Sequence, residues 1–501
     1  MMKKLVLLNL LSFFSILLVN ASVNQKAIDY YQFDLTKSAK NILLGNLKNN
    51  QMSATEKAEA YYYLGEISFI EQKNDSAAFY YNKGISVDPT FLLNNVGKAK
   101  LLLKTQPLEA EKEIALVLAG KNKKNIELQV AVARAYLVNN MIAKATSQLN
   151  EAKKINSKSA LVYVLEGDLA ALNKDYGNAC NLYEQAIYFD SKCIEAYVKY
   201  ARVYTKINMP LAIDKLQQLI NLEPNSFLPY REMGEIYYQN GQFSKAASSY
   251  EKYFKNDVYS YDDYPKYASI LFFNGDFNKS LEIVQQALKA DPTSFILNRL
   301  LMYNYYQLKK YQEGILVGDK LMSGSNTNEF IALDYAFYAR LLSENNRKQE
   351  SVVAFEKAIA MDSTKVDLYK DLAEVYESLS QYDNAIASYN AFIQKGGDAV
   401  KVNDYFLLGK CYYSAATDTA LTKSPENNLK KIEYCKVADS LFNYLAVKVP
   451  ESYLGNLWRA RTNSVLDPET EKGLSKPYYE AALALLDKNN PKDIKPIIEC
   501  Y

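Results

Sequence analysis

The chain has 501 residues, with 59 Lys+Arg against 57 Asp+Glu, 49% hydrophobic residues and no histidine. That composition is globular rather than disordered, and its near-neutral balance argues against nucleic acid, where phosphate neutralisation supplies most of the affinity. Without histidine, Ser-His-Asp and Cys-His nucleophile systems and histidine metal sites are all excluded.

Residues 1–21 read as a secretory signal. Lys3 and Lys4 precede an apolar run of 15 residues from Leu5 to Val19, and Val19-Asn20-Ala21 offers a cleavage site near Ala21. That run is short for a membrane span, which needs about 20 residues. No cysteine follows it to carry a lipid, and no later segment is apolar enough to span, so a periplasmic or secreted protein is expected. Removing 1–21 leaves 57 basic against 57 acidic residues. An exported location permits disulfides, but five cysteines (Cys180, Cys193, Cys411, Cys435, Cys500) leave at least one thiol free, and buried single thiols are the expectation.

Residues 22–57 follow as an N-terminal helical cap. From there a small residue recurs after apolar or aromatic positions: Gly65, Ala99, Ala133, Gly167, Ala201, Gly234, Ala268, Ala339, Ala373, Gly409 and Ala460. The intervals are 33 or 34 residues as far as Ala268, and 34 again from Ala339 to Ala373. The gap from Ala268 to Ala339 holds two units, with Met302 in the middle. Such a period marks a solenoid. Each unit reads as two helices: Tyr230, Met233, Gly234 and Tyr237 share one helical face, Gly241 breaks it, and Ala246, Tyr250 and Tyr253 mark the second helix. Asp88-Pro89, Glu223-Pro224, Asp291-Pro292 and Val449-Pro450 close second helices, because proline disfavours helix in the residue before it. Glycine or alanine at the series positions lets two helices approach closely. Ala77, Ala145, Ala179, Ala246 and Ala385 do the same on the facing helix. A large share of the 43 tyrosines fall in this register and are expected to pack.

The unit YYYLGEISFIEQKNDSAAFYYNKGISVDP resembles the tetratricopeptide repeat through Tyr61, Leu64, Gly65, Ala77, Tyr81 and Pro89, and the resemblance covers about residues 58–450. It implies an all-α, right-handed α-solenoid of tandem helix–turn–helix repeats over 58–399. It also implies a protein-binding role, although the fold hosts many binding jobs. Chaperone adaptors of this family grip a terminal carboxylate with lysine and asparagine. Here Lys370 is followed by Glu374 where that grip wants asparagine, so the subtype is set aside.

A repeat spanning 400–452 is interrupted by a polar insertion at 418–433, and 453–501 reads as an atypical C-terminal cap. Trp458, the only tryptophan, lies beside Arg459 and Arg461, either as part of that cap or as a recognition corner.

No catalytic, cofactor or metal residue is expected. Paired acids such as Asp262-Asp263 read as solvated helix starts. The residue after each small position is expected on the concave face, and most of these are charged. Candidate partner contacts are Arg134, Arg202, Arg231, Glu235, Arg340, Glu374 and Lys410, with Trp458, Arg459 and Arg461 secondary. Pairs between neighbouring repeats, such as Arg202 with Glu235 or Arg340 with Glu374, are the competing use. The function expected is a protein-binding scaffold of the cell envelope. A glycan-binding module that stacks sugars on spare tyrosines is the alternative. The sequence leaves the oligomeric state open.

Overall fold

The structure, a computed structural model, describes residues 22–255, 261–324, 329–418 and 425–501; the expected signal segment 1–21 lies outside them. The chain divides into two compact units, Met1–Gly275 and Asp276–Tyr501, and it is all-α, an α-solenoid of paired helices.

The N-terminal unit begins with α1 (Gln25–Gln32) and α2 (Thr36–Asn46). Six two-helix repeats follow: α3 (Ala54–Ile70) with α4 (Asn74–Val87), α5 (Leu93–Leu102) with α6 (Pro107–Val117), α7 (Ile126–Val138) with α8 (Ile142–Ile155), α9 (Ala160–Leu172) with α10 (Tyr176–Phe189), α11 (Ile194–Tyr204) with α12 (Met209–Leu222), and α13 (Leu228–Gln239) with α14 (Phe243–Phe254). The unit ends in α15 (Tyr264–Phe273). The C-terminal unit opens with α16 (Phe277–Leu288). It continues as α17 (Phe295–Gln307) with α18 (Tyr311–Met322), α19 (Ala332–Glu344) with α20 (Lys348–Met361), α21 (Asp367–Ser378) with α22 (Tyr382–Lys395), and α23 (Val402–Thr417) with α24 (Pro425–Lys448). It closes with α25 (Leu454–Leu466), α26 (Lys476–Leu483) and α27 (Ile494–Cys500).

All twelve residues of the small series, Met302 included, are buried. What the glycines admit is a ring from the second helix. A Cβ at Gly65 or Gly97 would collide with Tyr81, one at Gly167 with Tyr183, and one at Gly234 with Tyr250. These rings are at most 2% exposed. The deepest aromatic positions therefore include the second helix, sixteen residues after the glycine; among first-helix tyrosines, Tyr61, Tyr230, Tyr369 and Tyr405 stay partly exposed.

The turn inside each repeat has its own chemistry. Gln72, Asn140, Lys174, Gly241, Lys309, Asn346 and Ser380 take left-handed backbone angles just past a first helix. The next amide then reaches back five residues, as in Lys73 N–H to Ser68 and Asp175 N–H to Ala170. This is the helix stop that glycine most often supplies; only Gly241 of the seven is glycine, and Gly275 takes the same kind of angle past α15. Between repeats, Asp88, Asp291 and Asp362 accept the amide two residues on, bending the chain out of the second helix.

Two expectations change. The insertion expected at 418–433 is helical from Pro425 onward, so α24 runs for 24 residues; proline suits a first turn, where its missing N–H is not needed. The N-terminal cap is a helical hairpin, and only α2 packs beside α3 as a cap should. The five cysteines are unbridged among the described residues, and burial pushes the Cys180 thiol up to about 12.

Gly167→Ala is expected to destabilise the chain by roughly 1–3 kcal/mol through overpacking against Tyr183, and in a chain that already carries Tyr183→Leu the same alanine should cost much less. Gly177→Ala, in a helix with open space around it, should instead stabilise by about 0.5–1 kcal/mol. Urea midpoints of the parent, the three single variants and the Gly167→Ala/Tyr183→Leu double variant decide both.

Candidate functional site: the concave face

The ring that fills each glycine also orients a charge. Tyr81 donates its hydroxyl to Glu66 at 2.7 Å, Tyr183 to Asp168 at 2.9 Å, and Tyr250 to Glu235. Each acid directly follows the glycine against which the ring packs. Each then meets a lysine of the next repeat: Lys100 at 2.7 Å from Glu66, Lys199 on Asp168, and Lys266 at 3.4 Å from Glu235. Lys100 is buried, with its ammonium 4.2 Å from the Phe69 ring centre; burial pulls its pKa down while Glu66 opposes that.

A register governs these rungs. The residue after one small position usually meets the residue two before the next small position. Asp168 with Lys199, Arg202 with Glu232, Glu235 with Lys266 and Arg340 with Asp371 all obey it. The pairs expected between Arg202 and Glu235 and between Arg340 and Glu374 are therefore displaced by one helical turn, to Glu232 and Asp371. At these joints the neighbouring first helices are offset along their axes, so Arg202 and Glu235, or Arg340 and Glu374, do not lie level; at the first joint Glu66 does meet Lys100 at the equal position. In the same register Tyr303 stacks on Phe337 at 4.3 Å, and Lys410 sits 5.7 Å over Trp458.

A second ladder joins the residue three before a small position to an acid at the start of the next first helix. Arg231 binds Asp263 at 2.8 Å, Arg299 binds Asp334 at 2.7 Å, and Lys370 binds Asp404 at 2.6 Å. Asp334 and Asp404 also accept the amides of Ile331 and Lys401, so one carboxylate both caps its helix and anchors the preceding repeat. Asp263 is thus not the solvated helix start expected: it is 2% exposed and also accepts from Tyr253 at 2.8 Å. Burial lifts its carboxyl pKa, against the pull of Arg231.

Where the register offers an aliphatic residue, the charge goes elsewhere. The rung of Arg134 is Leu165. Arg134 instead reaches two repeats on to Glu195, at 2.9 Å, and Lys199 joins the same carboxylate at 2.8 Å. Side chains two repeats apart meet only if the stack curves towards this face, which makes it the concave one. Burial raises the Glu195 pKa, but Arg134 and Lys199 together outweigh it and hold the carboxyl at about 2. The rung of Glu374 is Leu407. Glu374 has no ion pair among the described residues and its side chain is exposed; partial desolvation, then Asp371, pushes its carboxyl up, opposed by Lys370 and reinforced by Glu377.

The concave face of the N-terminal unit holds more than its repeats. Arg202 reaches both the Asp34 carboxylate and, at 3.2 Å, the Phe33 carbonyl, just past α1. Tyr31 of α1 meets Tyr63 edge to face, 5.3 Å between ring centres. Burial pushes the Tyr31 phenol well up, reinforced by Glu66 and Glu195 and opposed by Arg134. Sequence reasoning missed Tyr31, Asp34, Tyr62, Tyr63, Lys199 and Glu195; the period pointed at one residue per repeat, and the turn before it carries the partners.

At the C-terminal end Trp458 packs on Phe442 at 5.4 Å and under Arg461 at 4.5 Å, and Arg461 binds Glu499 at 2.6 Å. Arg459 joins Asp439 at 3.0 Å and stacks on Tyr478 at 4.1 Å. These three residues tie α25 to α24, α26 and α27, a capping arrangement.

Three stretches match tetratricopeptide-repeat family models: residues 58–91, 195–226 and 339–400. The TPR repeat-containing protein MJ1428 of Methanocaldococcus jannaschii is 21% identical over 373 residues, 68% of this chain and 63% of that one, so the match spans less than two thirds of the relative. Among solved structures, the C-terminal part of a TPR repeat-containing protein from Cytophaga hutchinsonii shares 23% identity, with 47% of this chain and 84% of that one covered and a TM-score of 0.39. MamA from Desulfovibrio magneticus RS-1 shares 13%, covering 34% and 96%, with a TM-score of 0.30.

The acid test follows from Glu195. Its pKa is depressed in the fold from an ordinary 4.5, so its stabilisation is present above about pH 4.5 and is lost as pH falls towards 2. Glu195→Gln should be less stable than the parent by up to roughly 3 kcal/mol near neutrality, with the gap closing between pH 4.5 and 2. Denaturant midpoints across that range measure it.

Proposed function

We propose that this tetratricopeptide-repeat chain is a non-enzymatic scaffold of the cell envelope, and that it takes a protein partner on the concave face of its C-terminal unit. The observation that carries the reading is the incomplete ladder there. Arg134, Arg202, Arg231, Glu235 and Arg340 are all held in ion pairs. Glu374 and Lys410, in consecutive repeats, have no ion pair among the described residues. A protein surface offering complementary charges gains from such groups without first breaking an existing pair. Export rests on the sequence of residues 1–21.

The ring geometry favours protein over glycan. Tyr62 and Tyr63 meet edge to face, and Trp458 is boxed by Phe406, Tyr413, Phe442 and Arg461. Flat ring faces for a sugar are therefore already occupied at these positions.

A photo-crosslinking residue in place of exposed Ser378, one turn beyond Glu374, tests this in cells. A discrete crosslinked protein is expected, reduced at least tenfold by Glu374→Lys with Lys410→Glu while the melting temperature holds. Undiminished crosslinking in the charge-reversed chain, or none in either, would refute the reading.

A further inference from the structure

The concave face of the N-terminal unit already contains an occupant. Helix α1 is eight residues long and is followed by Phe33-Asp34-Leu35. At its start, Ser22 donates to Glu59 at 2.7 Å and Asn24 donates to the Glu56 carbonyl at 2.8 Å, both on α3. At its far end, Arg202 of α11 grips the Phe33 carbonyl and the Asp34 carboxylate. Between these ends, Tyr31 lies on Tyr63 and within the electrostatic field of Glu66, Arg134 and Glu195. Those three residues belong to the first, third and fifth repeats. The helix thus spans the inner wall from α3 to α11, where Arg202 meets Phe33 across 169 residues of sequence, and lies beside the positions where a tetratricopeptide stack would present charge to a ligand.

The fit is incomplete in polar terms. Gln32 Oε1 is buried with no hydrogen-bond partner, whereas Asp29, its carboxyl raised by burial, accepts from Gln25 at 2.8 Å. A buried acceptor left unmade costs roughly 1–3 kcal/mol. The apolar side of the same helix is well covered, with Ala27, Tyr30 and Phe33 at 0–2% exposure. An occupant with good apolar contacts and an unmet buried acceptor is displaceable by a helix that satisfies that acceptor.

We propose that the concave surface of the N-terminal unit is a receptor for a short amphipathic helix bearing an aromatic on its inner face and an acid just past its C-terminal end, and that α1 fills this receptor in cis until a partner helix of that chemistry displaces it. Tyr63 and the Arg134–Glu195 pair receive the aromatic, and Arg202 receives the acid together with the carbonyl just past the helix. The proposal rests on the reading that concave faces of this chain bind protein, but it concerns a different unit and different residues.

The probe is a fluorescein-labelled peptide of residues 22–35, titrated into the whole chain and followed by anisotropy. The tethered helix has an effective concentration in the millimolar range, so the parent chain should bind the free peptide weakly. Tyr31→Ala with Asp34→Lys loosens α1 without touching the receptor, and this chain should bind the peptide at least tenfold tighter. Adding Arg202→Ala should abolish the gain. Equal binding by parent and loosened chain, or a gain that survives Arg202→Ala, would overturn the proposal. Amide hydrogen exchange on the unmodified chain guards against a misfolded variant: excess peptide should accelerate exchange in residues 25–33 and leave α3 and α11 unchanged. Exchange of α1 at the rate of the repeat core, unaffected by peptide, would overturn it equally. Neither readout involves Glu374 or Lys410, so failure here leaves the C-terminal surface standing, and failure there leaves this one standing.

Discussion

The structure depends on a ring seated on a glycine. At Gly65, Gly167 and Gly234 the missing side chain lets a tyrosine of the second helix lie flat against the first. Burying such a ring is among the largest apolar contributions a single residue makes, and its hydroxyl must then find an acceptor because it has left water. That acceptor is the acid following the glycine, and the acid in turn meets a lysine from the next repeat. One packing contact thereby sets the helix spacing, the identity of the next residue and the electrostatic joint between neighbours. The Gly409 repeat departs on both counts, facing Phe442, which has no hydroxyl, and being followed by Lys410 instead of an acid, whereas after Ala373 the hydroxyl of Tyr389 goes to Glu377 and leaves Glu374 aside.

The charges on the concave face are consequently ordered by repeat-to-repeat geometry before any partner is considered. A rung closes when the residue two before the next small position has the opposite charge. When that place is aliphatic, the charge crosses the curve, as Arg134 does, or stays open, as Glu374 does. A single leucine in the wrong place for the ladder is what makes a free charge. Two partly buried positive groups on one carboxylate, as at Glu195, also show how far curvature brings distant repeats together, because the pair spans 61 residues.

The two units differ in what they leave available. In the N-terminal unit the ladder is nearly closed and α1 lies against the inner wall, so its surface is self-satisfied. In the C-terminal unit the inner wall keeps an acid and a lysine open, while its aromatic end is locked into a cap by Arg459 and Arg461. Binding energy is most easily gained where no internal pair must first be broken, and that asymmetry separates an open surface from an occupied one.

The sequence by itself determined the repeat: its period, the small positions, the two helices per unit and the proline or aspartate exits, since all are local or recur at fixed spacing. It also marked the residue after each small position as inward-facing, because helical periodicity assigns faces without knowing neighbours. Tertiary structure alone decided which charges meet. The offset between adjacent first helices moves each partner by a turn, so Arg202 finds Glu232 and Arg340 finds Asp371, and no spacing within one repeat encodes that offset. Curvature, which sums small rotations over many repeats, brought Arg134 to Glu195 and α1 to Arg202. Contacts of that range depend on the whole stack, whereas the pattern that builds the stack is written thirty-four residues at a time.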